Sequence, residues 1–193
     1  VTIGCILSSV SLLLITGFIS LYTRGVEDID YHNYLAAILF SVNIILDCMR
    51  GANLAGANVA GQAPKTTWRY LVEAGINLVV SLILVQFLGM VGVLIGTVAA
   101  GIWRSLDSIV FFSKHVLKEK PYRELAFDAI NIGIFAVFII IGKLNLLPVN
   151  SYLQFVMWGI ASAFGSALIY FAVFAIANRR DLKSFLRVLR TKK

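Results

Sequence analysis

Apolar residues in this chain come in long blocks. Six mostly apolar stretches, residues 1–22, 33–53, 67–88, 90–113, 124–145 and 152–178, are separated by shorter polar or charged segments. A helix needs about 20 such residues to cross the hydrocarbon core of a bilayer. A membrane β-barrel would show segments of about ten residues with alternating hydrophobicity, and the chain has no run of them. The pattern predicts an all-α membrane protein, a bundle of six transmembrane helices spanning 1–178. The predicted connections are 22–32, the polar stretch 56–67, a tight turn at Gly89, the charged loop 114–123, and 143–151 around Pro148.

Composition agrees with lipid as the solvent. The 193 residues are 59% hydrophobic and 14% charged, against about 45–50% and 25% in soluble domains. Cys5 and Cys48 both lie in apolar runs, and His32 and His115 are far apart, so neither a disulfide framework nor zinc-ligand spacing is present. Residues 56–61 have the glycine spacing of a phosphate loop, but Gln62 and Ala63 stand where Lys and Ser/Thr would grip phosphate and magnesium. No Gly-x-Ser-x-Gly elbow and no His-Glu-x-x-His helix occur. The expectation is a non-enzymatic protein without cofactor or metal. The chain opens at Val1 with no basic n-region before its first apolar block, and reads as part of a longer transporter-like protein.

Basic residues set the expected orientation, because Lys and Arg accumulate on the cytoplasmic side. Arg24 stands in the first loop beside Glu27, Asp28 and Asp30; Arg50, Lys65 and Arg69 are assigned to the second, and the Gly89 turn has none. The fourth holds Lys114, Lys118, Lys120 and Arg123, the fifth Lys143, and the tail seven, from Arg179 to Lys193. Alternation of poor and rich loops predicts a cell-membrane protein with both ends cytoplasmic. In the tail, 179–193, Leu182, Phe185, Leu186 and Leu189 recur at helical spacing with Lys183, Arg187 and Arg190 between them. Such a basic amphipathic helix suits the anionic inner leaflet. Nothing else in the chain supports nucleic acid as the partner behind the net charge of +7.

The informative ionisable residues inside the apolar helices are Asp47, Glu73, Arg104, Asp107 and Asp128. Each is expensive at the centre of a bilayer, about 2.5–3.5 kcal/mol on insertion scales. Counting from the cytoplasmic ends places all five in one layer. A hairpin folded at Gly89 sets position 73 opposite about position 106, hence Glu73 between Arg104 and Asp107. That cluster reads either as a polar gate or a cation site for lipid-linked anions near the inner leaflet, or as an internal salt bridge that lets the helices insert. Asn43, Asn77 and Asn131 would bond across helices or line a cavity. The runs Gly92-x-x-x-Gly96-x-x-x-Ala100 and Gly159-x-x-x-Ala163-x-x-x-Ala167 read as small-residue packing faces.

The same hairpin carries a resemblance. Residues 69–85, with Glu73-Ala-Gly-Ile-Asn77, and then Leu88-Gly-Met-Val-Gly-Val-Leu-Ile-Gly-Thr97 resemble the polysaccharide-biosynthesis flippases of the multidrug/oligosaccharidyl-lipid/polysaccharide exporter superfamily. Leu21-Tyr22 with the acidic loop to Tyr31, and Arg104 with the basic run after it, fit the same pattern. The resemblance implies two helical lobes around a central cavity, with this chain matching helices nine to fourteen of the longer form. The N-terminal lobe would then be a missing partner, without which the chain should not transport. It further implies movement of an undecaprenyl-pyrophosphate-linked oligosaccharide to the outer leaflet, with Glu73, Arg104, Asp107, Asn77, Asp47 and Asp128 as candidates along the substrate path and Arg104 facing the pyrophosphate in the full protein. A cation-coupled drug exporter of the same superfamily and a non-transporting scaffold for glycan assembly enzymes are the rival readings.

Overall fold

The computed structural model describes residues 1–23, 33–118, 120–144, 149 and 151–177. Six helices account for nearly all of them: α1 (Thr2–Tyr22), α2 (Tyr34–Val59), α3 (Ala63–Leu88), α4 (Met90–Phe112), α5 (Tyr122–Lys143) and α6 (Tyr152–Ala177). A π-helical turn, Ser113–Leu117, extends α4 and ends at Lys118 in the left-handed conformation. All six helical segments are long and apolar enough to cross a bilayer. The fold is an all-α bundle of membrane type. The basic tail 179–193 and the acidic first loop lie outside the described residues.

Two boundaries differ from the sequence reading. The polar stretch 56–67 is not a loop: α2 continues to Val59, α3 starts at Ala63, and Pro64 occupies the first turn of α3. Proline is accommodated there because its missing N–H would have had no helical partner. Arg50 and Arg69, counted with that loop although they fall inside the predicted spans, are helical residues, and Lys65 lies in the first turn of α3. Both α2–α3 and α3–α4 reverse on a glycine with positive φ, Gly61 at 71° and Gly89 at 56°, a region in which an added Cβ would be strained.

The bundle has two sides. On one, α4 packs between α3 and α2; on the other, α1 packs against α5 and α6, and α1 also joins α2. Close approach of α3 and α4 depends on Gly96, where a Cβ would come within 2.8 Å of the Ser81 backbone nitrogen. The shared core contains Cys5 and Leu12 of α1, Ile45, Leu46 and Met49 of α2, Ile109 of α4, Phe135 and Phe138 of α5 and Tyr170 of α6. Hydroxyl groups tie the helices across it: Ser8 Oγ donates to Ser41 O (3.1 Å), Ser105 Oγ to Leu46 O (2.9 Å), and Ser9 and Tyr170 share a bond of 3.1 Å. In lipid such bonds matter because helix association has no hydrophobic drive of its own.

Candidate functional site

Ionisable side chains of α2, α3 and α4 meet where these three helices pack. Asp47 and Arg50 are one turn apart on α2 and pair at 2.6 Å. Arg50 also pairs with Glu73 of α3, whose second carboxylate oxygen lies 3.6 Å from Arg104 Nε of α4. Arg104 Nη1 donates to Asp107 Oδ2 at 3.1 Å, and Asp107 Oδ1 accepts from Arg69 of α3. The result is one alternating chain, Asp47–Arg50–Glu73–Arg104–Asp107–Arg69, with three carboxylates and three guanidiniums. Its formal charge is zero, which meets the main physical objection to charges at membrane depth.

Aromatic rings complete the solvation of the guanidiniums. Arg104 stands 4.4 Å over the Tyr70 ring, and Arg69 stands 4.5 Å from the Phe111 ring centroid and 5.4 Å from that of Trp68. The negative ring face attracts a cation where hydrogen-bond acceptors run out. That is the situation of Arg104 Nε and Nη2 and of Arg69 Nε, which are buried without a hydrogen-bond partner.

Next to this chain of charges lies an open-sided cavity of about 270 Å³. Its polar lining consists of Asn43, Asp47, Arg50, Tyr70, Glu73, Asn77 and Thr97, and Ala74, Ala100 and Gly101 leave the space. Thr97 and Ser81 donate to Asn77 Oδ1 at 3.4 and 2.9 Å. The Gly92–Gly96–Ala100 face therefore does two jobs: its first two residues bring α3 against α4, and Ala100 lines the cavity.

Of the six candidate path residues, the structure brings Glu73, Arg104, Asp107 and Asp47 into the charge chain and sets Asn77 on the cavity wall. Asp128 belongs elsewhere. It sits on α5, 2% exposed, with Oδ2 unpartnered, on the side where α5 packs on α1. One turn earlier, Glu124 Oε1 accepts from Asn53 Nδ2 of α2 at 2.6 Å. Of the five charges assigned to one layer, four form a group and Asp128 stands apart: equal depth does not make neighbours when α5 faces α1. Arg104, expected to face a passing anion in the full protein, is enclosed in this chain. Its side chain is 0% exposed and does not line the cavity.

Sequence reasoning missed Arg50, Arg69 and Tyr70. Assigning the first two to a loop hid them, yet the spacing Asp47/Arg50 and the grouping of Arg69, Tyr70 and Glu73 within one helical turn carried the signal. Among the described residues no group of three His, Cys, Asp or Glu side chains is placed to hold a metal ion. Compared with known proteins, the chain matches no family model, no curated protein and no solved structure.

Proposed function

We propose that this chain is the C-terminal, non-enzymatic part of a cell-membrane flippase that moves an undecaprenyl-pyrophosphate-linked oligosaccharide to the outer leaflet. The observation that supports it is the polar cavity beside a fully paired chain of charges inside an apolar bundle. A scaffold for assembly enzymes has no use for a cavity at this depth, whereas a transporter needs a hydrophilic path whose walls survive in lipid. The alternating ion pairs act in this reading as a lock on α2, α3 and α4. The sequence likeness of residues 69–97 to glycan flippases favours a lipid-linked sugar over a drug as cargo. Both ends face the cytoplasm in this proposal, on the strength of the basic residues 114–123 and of the tail; the N-terminal lobe of the same protein and anionic inner-leaflet lipid are its partners.

Deleting the gene in its host tests the reading. Surface polysaccharide should fall at least tenfold, and lipid-linked oligosaccharide should accumulate in the inner leaflet. Normal surface glycan would refute it. Loss of glycan without accumulation of the lipid-linked form would favour the scaffold.

A further inference from the structure

Resting on the flippase reading, we propose that the cavity between α2, α3 and α4 holds one uncharged sugar ring of the lipid-linked substrate, and that the pyrophosphate is carried elsewhere. Charge argues first. Phosphate oxygens are acceptors that need donors or cations not already claimed by carboxylates. Here the one arginine on the cavity wall, Arg50, is shared between Asp47 and Glu73, and both of those carboxylates line the same wall. An anion entering would meet two carboxylates, and Arg104 behind them is out of reach, 0% exposed.

A sugar hydroxyl asks for something different, since it donates and accepts at once. The wall offers both functions. The Asp47 carboxylate, 51% exposed, has room to accept a hydrogen bond from a hydroxyl. Asn77 is held by Ser81 and Thr97 through its oxygen, which leaves its Nδ2 hydrogens without an acceptor among the described residues. Asn43 adds a second amide, and Tyr70 an aromatic wall. Volume fits the same ligand. At about 270 Å³ the cavity lies just below the range of about 300–1,000 Å³ typical of small-molecule sites, room for one ring and not for an oligosaccharide. The absence of side chains at Gly101 and their small size at Ala74 and Ala100 make that room.

Saturation-transfer NMR on the full chain in detergent micelles tests this, with methyl glucoside, methyl galactoside and methyl N-acetylglucosaminide as probes and inorganic pyrophosphate as competitor. At least one glycoside should receive saturation, and Asn77→Ala and the cavity-filling Ala74→Leu should each cut the signal at least threefold. Thr97→Val, similar in size to threonine, keeps the test available if the first two fail to fold, and should cut it about twofold. Pyrophosphate at equal concentration should displace nothing. Displacement by pyrophosphate, no signal from any glycoside, or equal signals from all variants would overturn the proposal. Absent glycoside binding combined with glycan export that depends on the gene would overturn the sugar site while leaving the flippase reading in place. Glycoside binding combined with gene-independent export would overturn that reading, and with it the lipid-linked identity of the ligand.

Discussion

Asp107 and Asp128 both sit inside apolar helices, one on each side of the bundle, and they meet different surroundings. Asp107 on α4 is held by two guanidiniums, Arg69 and Arg104, and the pairs continue to α2 through Glu73 and Arg50. Asp128 on α5 is buried among packed helices with one oxygen unpartnered and no guanidinium or ammonium within ion-pair distance among the described residues. The α2–α3–α4 side is cross-linked by charge and keeps a cavity. The α1–α5–α6 side is joined by apolar contacts, by the Ser9–Tyr170 bond and by the stacked rings of Phe138 and Tyr170. A carboxylate in a membrane helix is therefore not one kind of signal. What it does depends on whether a neighbouring helix delivers a cation to it.

The largest effect should come from breaking the charged side at its junction. Asp107→Ala leaves Arg104, which is fully buried, without its hydrogen-bonded carboxylate, and Arg69 without its ion pair. Removing one partner from a buried pair costs about 3–5 kcal/mol. Thermal unfolding of the purified chain in detergent should show it, and a Tm unchanged from wild type would show that the pairs do not bind the helices together.

Next in size is Gly96→Val. The new side chain meets the Ser81 backbone, which cannot step aside as a flexible side chain could. Overpacking of this kind costs about 1–3 kcal/mol. Separating α3 from α4 should also pull Glu73 from Arg104, so a Gly96→Val, Asp107→Ala double variant should lose less stability than the two single losses added. Strict additivity would show that small-residue packing and charge pairing act independently.

Asp128→Asn should have the smallest effect and the opposite sign. An amide of nearly the same shape has no charge to desolvate, and Asp128 has no cation within ion-pair distance among the described residues to lose. Tm should stay level or rise slightly, by about 0.5 kcal/mol in stability, within the range of benign substitutions. A fall as large as that of Asp107→Ala would mean that Asp128 has a cationic partner and would erase the contrast between the two sides.

Much of this was legible in the chain. Long apolar blocks give helices whatever their neighbours, and Gly89 between two of them gives a hairpin, so Glu73 opposite Arg104 followed from counting residues. The α2–α3 boundary was harder. Residues 56–61 are small, with a glycine at each end and Asn58 as their one polar side chain; their composition reads as loop while their backbone is helical up to Val59. Counting Arg50 and Arg69 with that loop, although both lie inside the predicted spans, moved them out of the site. The order in which helices pack was not readable, because every face is apolar enough for lipid or for another helix. Asp128 and Asp107 therefore looked alike until α5 was seen beside α1 and α4 between α2 and α3.

Whether the charge chain is a lock and the neutral cavity the site of contact is decided by one comparison of surface glycan in the intact host. Glu73→Gln with Arg104→Gln cuts the chain in its middle and leaves two complete pairs, Asp47–Arg50 and Arg69–Asp107. At membrane levels matched to wild type, this double variant should export at least half the normal amount, because Arg104 is walled off from the cavity and Glu73→Gln keeps the size of the wall residue and one acceptor oxygen. Asn77→Ala, which alters the cavity wall and no ion pair, should lower export at least fivefold. Loss of export by the well-expressed double variant, with Asn77→Ala normal, would contradict this and put the guanidinium of Arg104 in the substrate's path.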